Sequence, residues 1–143
     1  MADNNRPKIL VVGSFIKDLI VSSSRFPDAG ETVIGSGFQT ASGGKGANQA
    51  IQAARLGADV TMVGKVGDDT YGREMIQSCQ ESGVNTEHIL VDEVAPSGIG
   101  NVQLEVQADG STQNRIIIVP GANMTNTVEE LKFLETEIAN FDM

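Results

Sequence analysis
The chain has 143 residues, 40% of them hydrophobic and 20% charged, the composition of an ordinary water-soluble domain with enough apolar side chains for one core. Its 19 acidic residues against 10 basic ones leave a formal charge of −9, which argues against nucleic acid and anionic membrane as partners. One cysteine and one histidine exclude an internal disulfide and a zinc site of thiolate and imidazole, and no apolar run matches a membrane span or a signal-peptide core, so a cytoplasmic location is expected.

Lys8-Ile9-Leu10-Val11-Val12, ended by Gly13, has the pattern of a parallel strand buried on both faces and opens an α/β sheet. Ligands of such sheets bind beyond the carboxyl ends of the strands, which directs attention to Ser14 to Asp18. Asp18 is then either a ligand-facing carboxylate or a solvated charge at a strand end. Ser22 to Gly30 is rich in turn residues. Val33, Ile34 and Phe38, with glycines between them, predict irregular strands from Glu31 to Thr40, so a β excursion precedes the first helix.

That helix opens from a glycine-rich turn. Gly43, Gly44 and Gly46 stand before Ala47, Ala50, Ile51 and Ala54 at helical spacing, which predicts a helix from about Ala47 to Leu56 with a stop at Gly57. Without Cβ atoms the turn can bring bare N–H groups and the positive helix end close to an oxyanion or a hydroxyl; the alternative is a helix entry in which glycine only permits the turn. Lys45 is followed by Gly46 rather than Ser or Thr, so this is not a P-loop, and no Gly-x-Gly-x-x-Gly follows the first strand, which argues against a dinucleotide site.

Val60 to Gly64 reads as a second parallel strand closing a right-handed crossover. Asp68-Asp69-Thr70 caps a second helix with Tyr71, Met75, Ile76 and Cys79 inward, ending at Gly83. Cys79 is read as core, since Glu74 and Glu81 nearby do not favour a thiolate. Ile89-Leu90-Val91 is the third strand, with His88 as an exposed residue at its start. From Gly98 the period becomes two: Asn101 to Gln107 alternates, Asp109-Gly110 turns, and Ile116 to Val119 returns, a hairpin with Val102, Leu104 and Val106 on one face. The two excursions, at about 15–42 and 97–119, are expected to meet as a small antiparallel sheet over the body's carboxyl edge, a lid. Thr127-Val128-Glu129-Glu130 is a capping box for a last helix carrying Leu131, Leu134 and Ile138 on one side. A strand should follow that helix, so the sequence reads as truncated; the alternative is a small complete domain with a fraying C-terminus.

Gly13-Ser14 with Asp18, Phe26-Pro27 with Gly30-Glu31-Thr32, the block Gly43 to Ala50, Gly67-Asp68-Asp69 with Gly72, and Pro120-Gly121-Ala122-Asn123 together resemble the N-terminal half of the ribokinase-like, or PfkB, carbohydrate kinases. The resemblance spans nearly all of residues 1–143 and implies a single ribokinase-like α/β domain cut after its N-terminal half: an open parallel sheet with flanking helices and a small antiparallel β lid. It further implies ATP-dependent phosphorylation of the terminal hydroxyl of ribose or a related sugar, with magnesium and room for a monovalent cation, and a homodimer formed through the lid. Asp18 corresponds to the carboxylate that accepts from ring hydroxyls. Gly44, Lys45, Gly46, Ala47 and Asn48 match the segment that holds the same sugar, and Ile118 supplies an apolar contact from the lid. Ile16 stands where the family typically carries a sugar-bonding asparagine, which opens the choice of sugar, and Lys17 or a water is available to take over that contact. The family's catalytic base, its anion hole and most of its ATP pocket belong to the C-terminal half, so no catalytic residue is expected in this chain and the chain alone is expected to be inactive. The alternative is a non-catalytic sugar-binding or dimerising module of this length.

Overall fold
The computed structural model describes residues 6–143. In chain order its strands are β1 (Lys8–Val12), β2 (Ile16–Ser23), β3 (Gly37–Gly43), β4 (Asp59–Gly67), β5 (Ile89–Asp92), β6 (Ile99–Val106) and β7 (Thr112–Val119). The helices are α1 (Lys45–Arg55), α2 (Thr70–Glu81), α3 (Val128–Leu131) and α4 (Leu134–Glu137).

The strands form two sheets. The body sheet has the order β1-β4-β5 and is parallel throughout. The second has the order β3-β2-β6-β7. Here β2 with β3 and β6 with β7 are antiparallel pairs, joined through a parallel β2–β6 ladder. That parallel join follows from the connectivity, since β2 and β6 both lead away from the body and each returns through its own antiparallel neighbour. The fold is the α/β arrangement expected from the sequence, a parallel sheet with helices and a small β lid.

Phe15, at the junction of β1 and β2, is fully buried with Ala47 and Ala50 of α1, Val60, Met62 and Val66 of β4, and Met75 and Cys79 of α2. Small residues on α1 let its axis approach the sheet: a methyl group at Gly46 would lie 2.7 Å from Gly13 Cα, and one at Gly13 would lie 2.8 Å from Gly46 Cα. Cys79 belongs to this core, and burial pushes its thiol up to about 11, so it is inert near neutral pH. Among the described residues no helix is long and apolar enough to cross a membrane.

Four expectations change. β1 is not buried on both faces: Val12 is 55% exposed and no residue of the strand is fully buried. Along its edge away from β4, Leu10 N–H donates to Met143 O at 2.8 Å and Met143 N–H to Lys8 O at 3.4 Å, the pattern of a parallel bridge around Ile9. The stretch 31–36 is loop, and the first lid strand is β2, hidden in the sequence because Asp18 and the serines after Val21 read as a strand end and a turn. The last helix begins at its capping box but breaks after Leu131 into α3 and α4, leaving Ile138 60% exposed. His88 is half-buried rather than exposed, its ring stacked on Phe133 at 4.4 Å.

Candidate functional site
Strand register assembles the site. Across the lid sheet Ala41, Asp18, Gly100 and Ile118 are successive partners on β3, β2, β6 and β7, so their side chains share one face. Ile16, two residues before Asp18, points the same way and pairs with Gly43. The two glycines beside Asp18 are what give its carboxylate room. A methyl group at Gly100 would collide with Asp18 Oδ1, and one at Gly43 would lie 3.1 Å from Asp18 Oδ2. The carboxylate therefore spreads over two neighbouring strands that have no side chain there. Beyond Gly100, two strand spacings or about 10 Å from Asp18, Ile118 rises from the edge strand, 57% exposed. The result is a glycine floor between an acid and an apolar wall.

Among the described residues none donates a hydrogen bond to Asp18. Burial raises its pKa above the ordinary aspartate value, since desolvation penalises the charged form. A partly buried, ionisable acceptor with no donor among the described residues is chemically suited to a ligand that brings hydroxyl donors.

The third wall is the start of α1. Gly44 sits at φ 100° as the residue before the helix, a conformation costly for any side chain, and no side chain caps the first turn. Asn48 is exposed, and its amide nitrogen lies 3.9 Å from the position of a methyl group at Gly43, the same point that Asp18 Oδ2 approaches from the other side. Asn48 thus borders the floor near Asp18, and Gly44 and exposed Lys45 follow Gly43 directly in the chain. Gly46 and Ala47 do not border it: both are buried under the β1–β2 junction, and Ala47 N–H donates to Ser14 O at 3.3 Å. Lys17 is also turned away. Strand alternation puts it on the opposite face, where its ammonium lies 2.7 Å from Glu74 Oε2 and 3.4 Å from Ser42 Oγ. It therefore does not stand in for a polar group at Ile16.

Two supporting networks escaped the sequence reading. Asn123 clamps the β1–β2 junction: its Oδ1 accepts from Phe15 N–H at 2.8 Å, and its Nδ2 donates to Phe15 O at 2.8 Å and Pro120 O at 2.7 Å. The Pro120-Gly121-Ala122-Asn123 motif carried the signal, though not the role. At the other end Asp69 caps α2 and accepts from Gly72 N–H at 2.8 Å, Ser97 N–H at 2.8 Å and Ser97 Oγ at 2.7 Å. Burial alone would raise Asp69, yet the bonds from Ser97 and Gly72 more than offset it and hold the acid below its ordinary value. Asp92 accepts from Thr125 Oγ1 and from Ala95 and Val94 N–H, which lower it to about 2. These bonds fix the linker between β5 and β6, and so the strand that carries Gly100.

A β lid with one acid over glycines, set against a parallel α/β body at the carboxyl ends of its strands, is the architecture of the ribokinase-like fold. The family model for pfkB family carbohydrate kinases matches residues 6–143, and the chain belongs to that family. It is 50% identical over 115 residues to the ribokinase of Bacillus subtilis, covering 80% of this chain and 38% of the relative. To the deoxyribokinase of Salmonella typhi it is 38% identical over 123 residues, covering 86% of this chain and 39% of the relative. Among solved structures, Arabidopsis thaliana ribokinase complexed with ribose and ATP matches with a TM-score of 0.72 at 38% identity, covering 82% of this chain and 37% of that one. The chain thus spans about two fifths of the length of the relatives it matches.

Proposed function
We propose that this chain is the sugar-binding part of a ribokinase-like kinase that, in the full-length protein, transfers the γ-phosphoryl group of ATP to the terminal hydroxyl of ribose or a related sugar. The observation that carries this reading is the Asp18 carboxylate spread over Gly43 and Gly100 and facing the open first turn of α1. Ring hydroxyls would donate to Asp18, and the Asn48 amide and the N–H groups at Gly44 and Lys45 would bind the sugar oxygens. Hydrogen bonds to a charged acceptor contribute about 1.5–3 kcal/mol each, compared with about 1 for neutral ones. Ile118 would close one side against water. Ribose and ATP are bound together in the Arabidopsis relative, and deoxyribokinase is another relative, so a pentose is the substrate class that the comparisons support.

ATP supplies the phosphoryl group when bound. Among the described residues no group of three His, Cys, Asp or Glu side chains is gathered closely enough to hold a metal ion, so magnesium and a monovalent cation are assigned no residue here. On this reading the base and the anion hole belong to a part of the full-length protein corresponding to the relatives' unmatched length. The test is a coupled assay of ribose-dependent ATP consumption. The full-length protein should turn over and residues 1–143 alone should not, because orienting and stabilising a transferring phosphoryl needs both walls of the site. Sugar-dependent turnover by residues 1–143 would contradict the division, and binding without turnover in the full-length protein would favour a sugar-binding module. A homodimer through the lid belongs to the same proposal, supported by Ile116, Ile117, Ile118 and Val119, all exposed on edge strand β7.

A further inference from the structure
The face of the lid sheet opposite Asp18 meets the body at α2. Its lowest row runs Ser42, Lys17, Ile99 and Val119 across the four strands. Half of that row stands off the helix: a cleft of about 560 Å³ separates Ile99 and Val119 from Thr70 and Tyr71 at the start of α2, and Ser97, which also lines it, donates to Asp69 from its N–H and Oγ. At the Lys17 end the gap is bridged. Lys17 is 5% exposed, and its ammonium reaches Glu74 Oε2 at 2.7 Å and Ser42 Oγ at 3.4 Å. One cation therefore ties β2, the end of β3 just before Gly43-Gly44, and a body helix.

We propose that the Lys17–Glu74 pair is the latch that sets the angle of the lid sheet against the body, making both positioning residues for the sugar site. Asp18 is the next residue on β2 and Gly43 the next on β3, so a tilt of the sheet about this row changes the gap between the carboxylate and the first turn of α1. The cleft leaves room for that tilt at Ile99 and Val119, while the bonds from Ser97 to Asp69 hold the entry of β6 against α2. A nearly buried ammonium keeps its place only while it is paired, and loss of Glu74 drives Lys17 toward water. Asp18 and Lys17 thus divide one strand between binding and posture. The effect on sugar rests on the sugar-kinase reading; the latch itself does not.

The test is a distance measurement between spin labels at Asp109→Cys, on the hairpin turn, and Gln77→Cys, on the exposed side of α2, in the full-length protein; buried Cys79 stays unlabelled. Lys17→Met and Glu74→Gln should each broaden the distribution and shift it from that of wild type, and the swap Lys17→Glu with Glu74→Lys should restore it. If the sugar-competent angle falls to about a tenth of the population, the KM for ribose rises about tenfold while kcat stays within about twofold. Distributions identical to wild type in both single variants would overturn the latch, as would a swap that restores nothing. Shifted distributions with no sugar binding by the wild type would uphold the latch and overturn the sugar-kinase reading instead.

Discussion

Asp18 carries charge in a half-buried slot where no described residue donates to it, and its folded pKa is raised by burial. For an acid shifted this way, the favourable contribution is present below the unfolded value of about 3.8 and is lost as pH rises through the folded value. At neutral pH the ionised group therefore opposes folding. Asp18→Asn is expected to raise Tm at pH 7, with the gain over wild type shrinking as pH falls through the raised folded value and gone by the unfolded value of about 3.8. A variant less stable than wild type at pH 7 would show that the carboxylate has a donor. Ile16 tests choice of sugar at the same scale. It faces the Asp18 side and neither donates nor accepts, and Lys17 is committed elsewhere. A sugar hydroxyl set against Ile16 is left unsatisfied at a cost of about 1–3 kcal/mol, so ribose and deoxyribose should be poorly distinguished. Ile16→Asn should then improve the kcat/KM ratio for ribose over deoxyribose about tenfold. A wild type already selective for ribose, with no gain in the variant, would remove Ile16 from the determinants of specificity.

At the scale of elements the site depends on how β1 turns into β2, and Asn123 fixes that turn through three hydrogen bonds. Asn123→Ala strands the Phe15 backbone groups and is expected to lower stability by about 2–4 kcal/mol, measured by urea unfolding followed by circular dichroism. Asn126→Ala is the contrast, since among the described residues Asn126 Oδ1 has no hydrogen-bond partner and its Nδ2 makes one bond, to Asn123 O at 3.0 Å, so it should cost less. Equal losses in the two variants would contradict the clamp. The helices and body strands were legible because their signals are local: Gly57 and Gly83 at positive φ end α1 and α2, and Asp69 and Thr127 cap α2 and α3. β2 was not legible, because its pairing to β3 and β6 is made across the chain while its own residues mix strand and turn types. The direction of Lys17 was lost with it. Once a strand runs from Ile16 to Ser23, alternation alone sends Lys17 away from Asp18. Without that strand, adjacent residues were read as one site.

At the scale of the molecule, the lid is a four-stranded sheet that offers Ile116 to Val119 on its free edge strand, an exposure that a second copy of the chain would cover. Ile116→Glu with Ile118→Glu should shift the full-length protein toward monomer in sedimentation velocity; an unchanged mass would count against the lid as the interface. The body was readable from hydrophobic runs and the β6–β7 half of the lid from its period of two. The site between them was not readable from either pattern, because it is made by register: Asp18 meets Gly100 and Gly43 only when three strands are aligned. The resemblance to sugar kinases points to Asp18 from its motif, and the register sets its carboxylate beside Gly100 and Gly43. The most direct test is therefore the affinity of the full-length protein for ribose, by isothermal titration calorimetry, in wild type and Asp18→Ala. The loss of one charged acceptor should weaken binding by about 1.5–3 kcal/mol, or roughly ten- to a hundredfold, with the fold intact by circular dichroism. Equal affinities in a folded variant would contradict Asp18 as the anchor of the sugar.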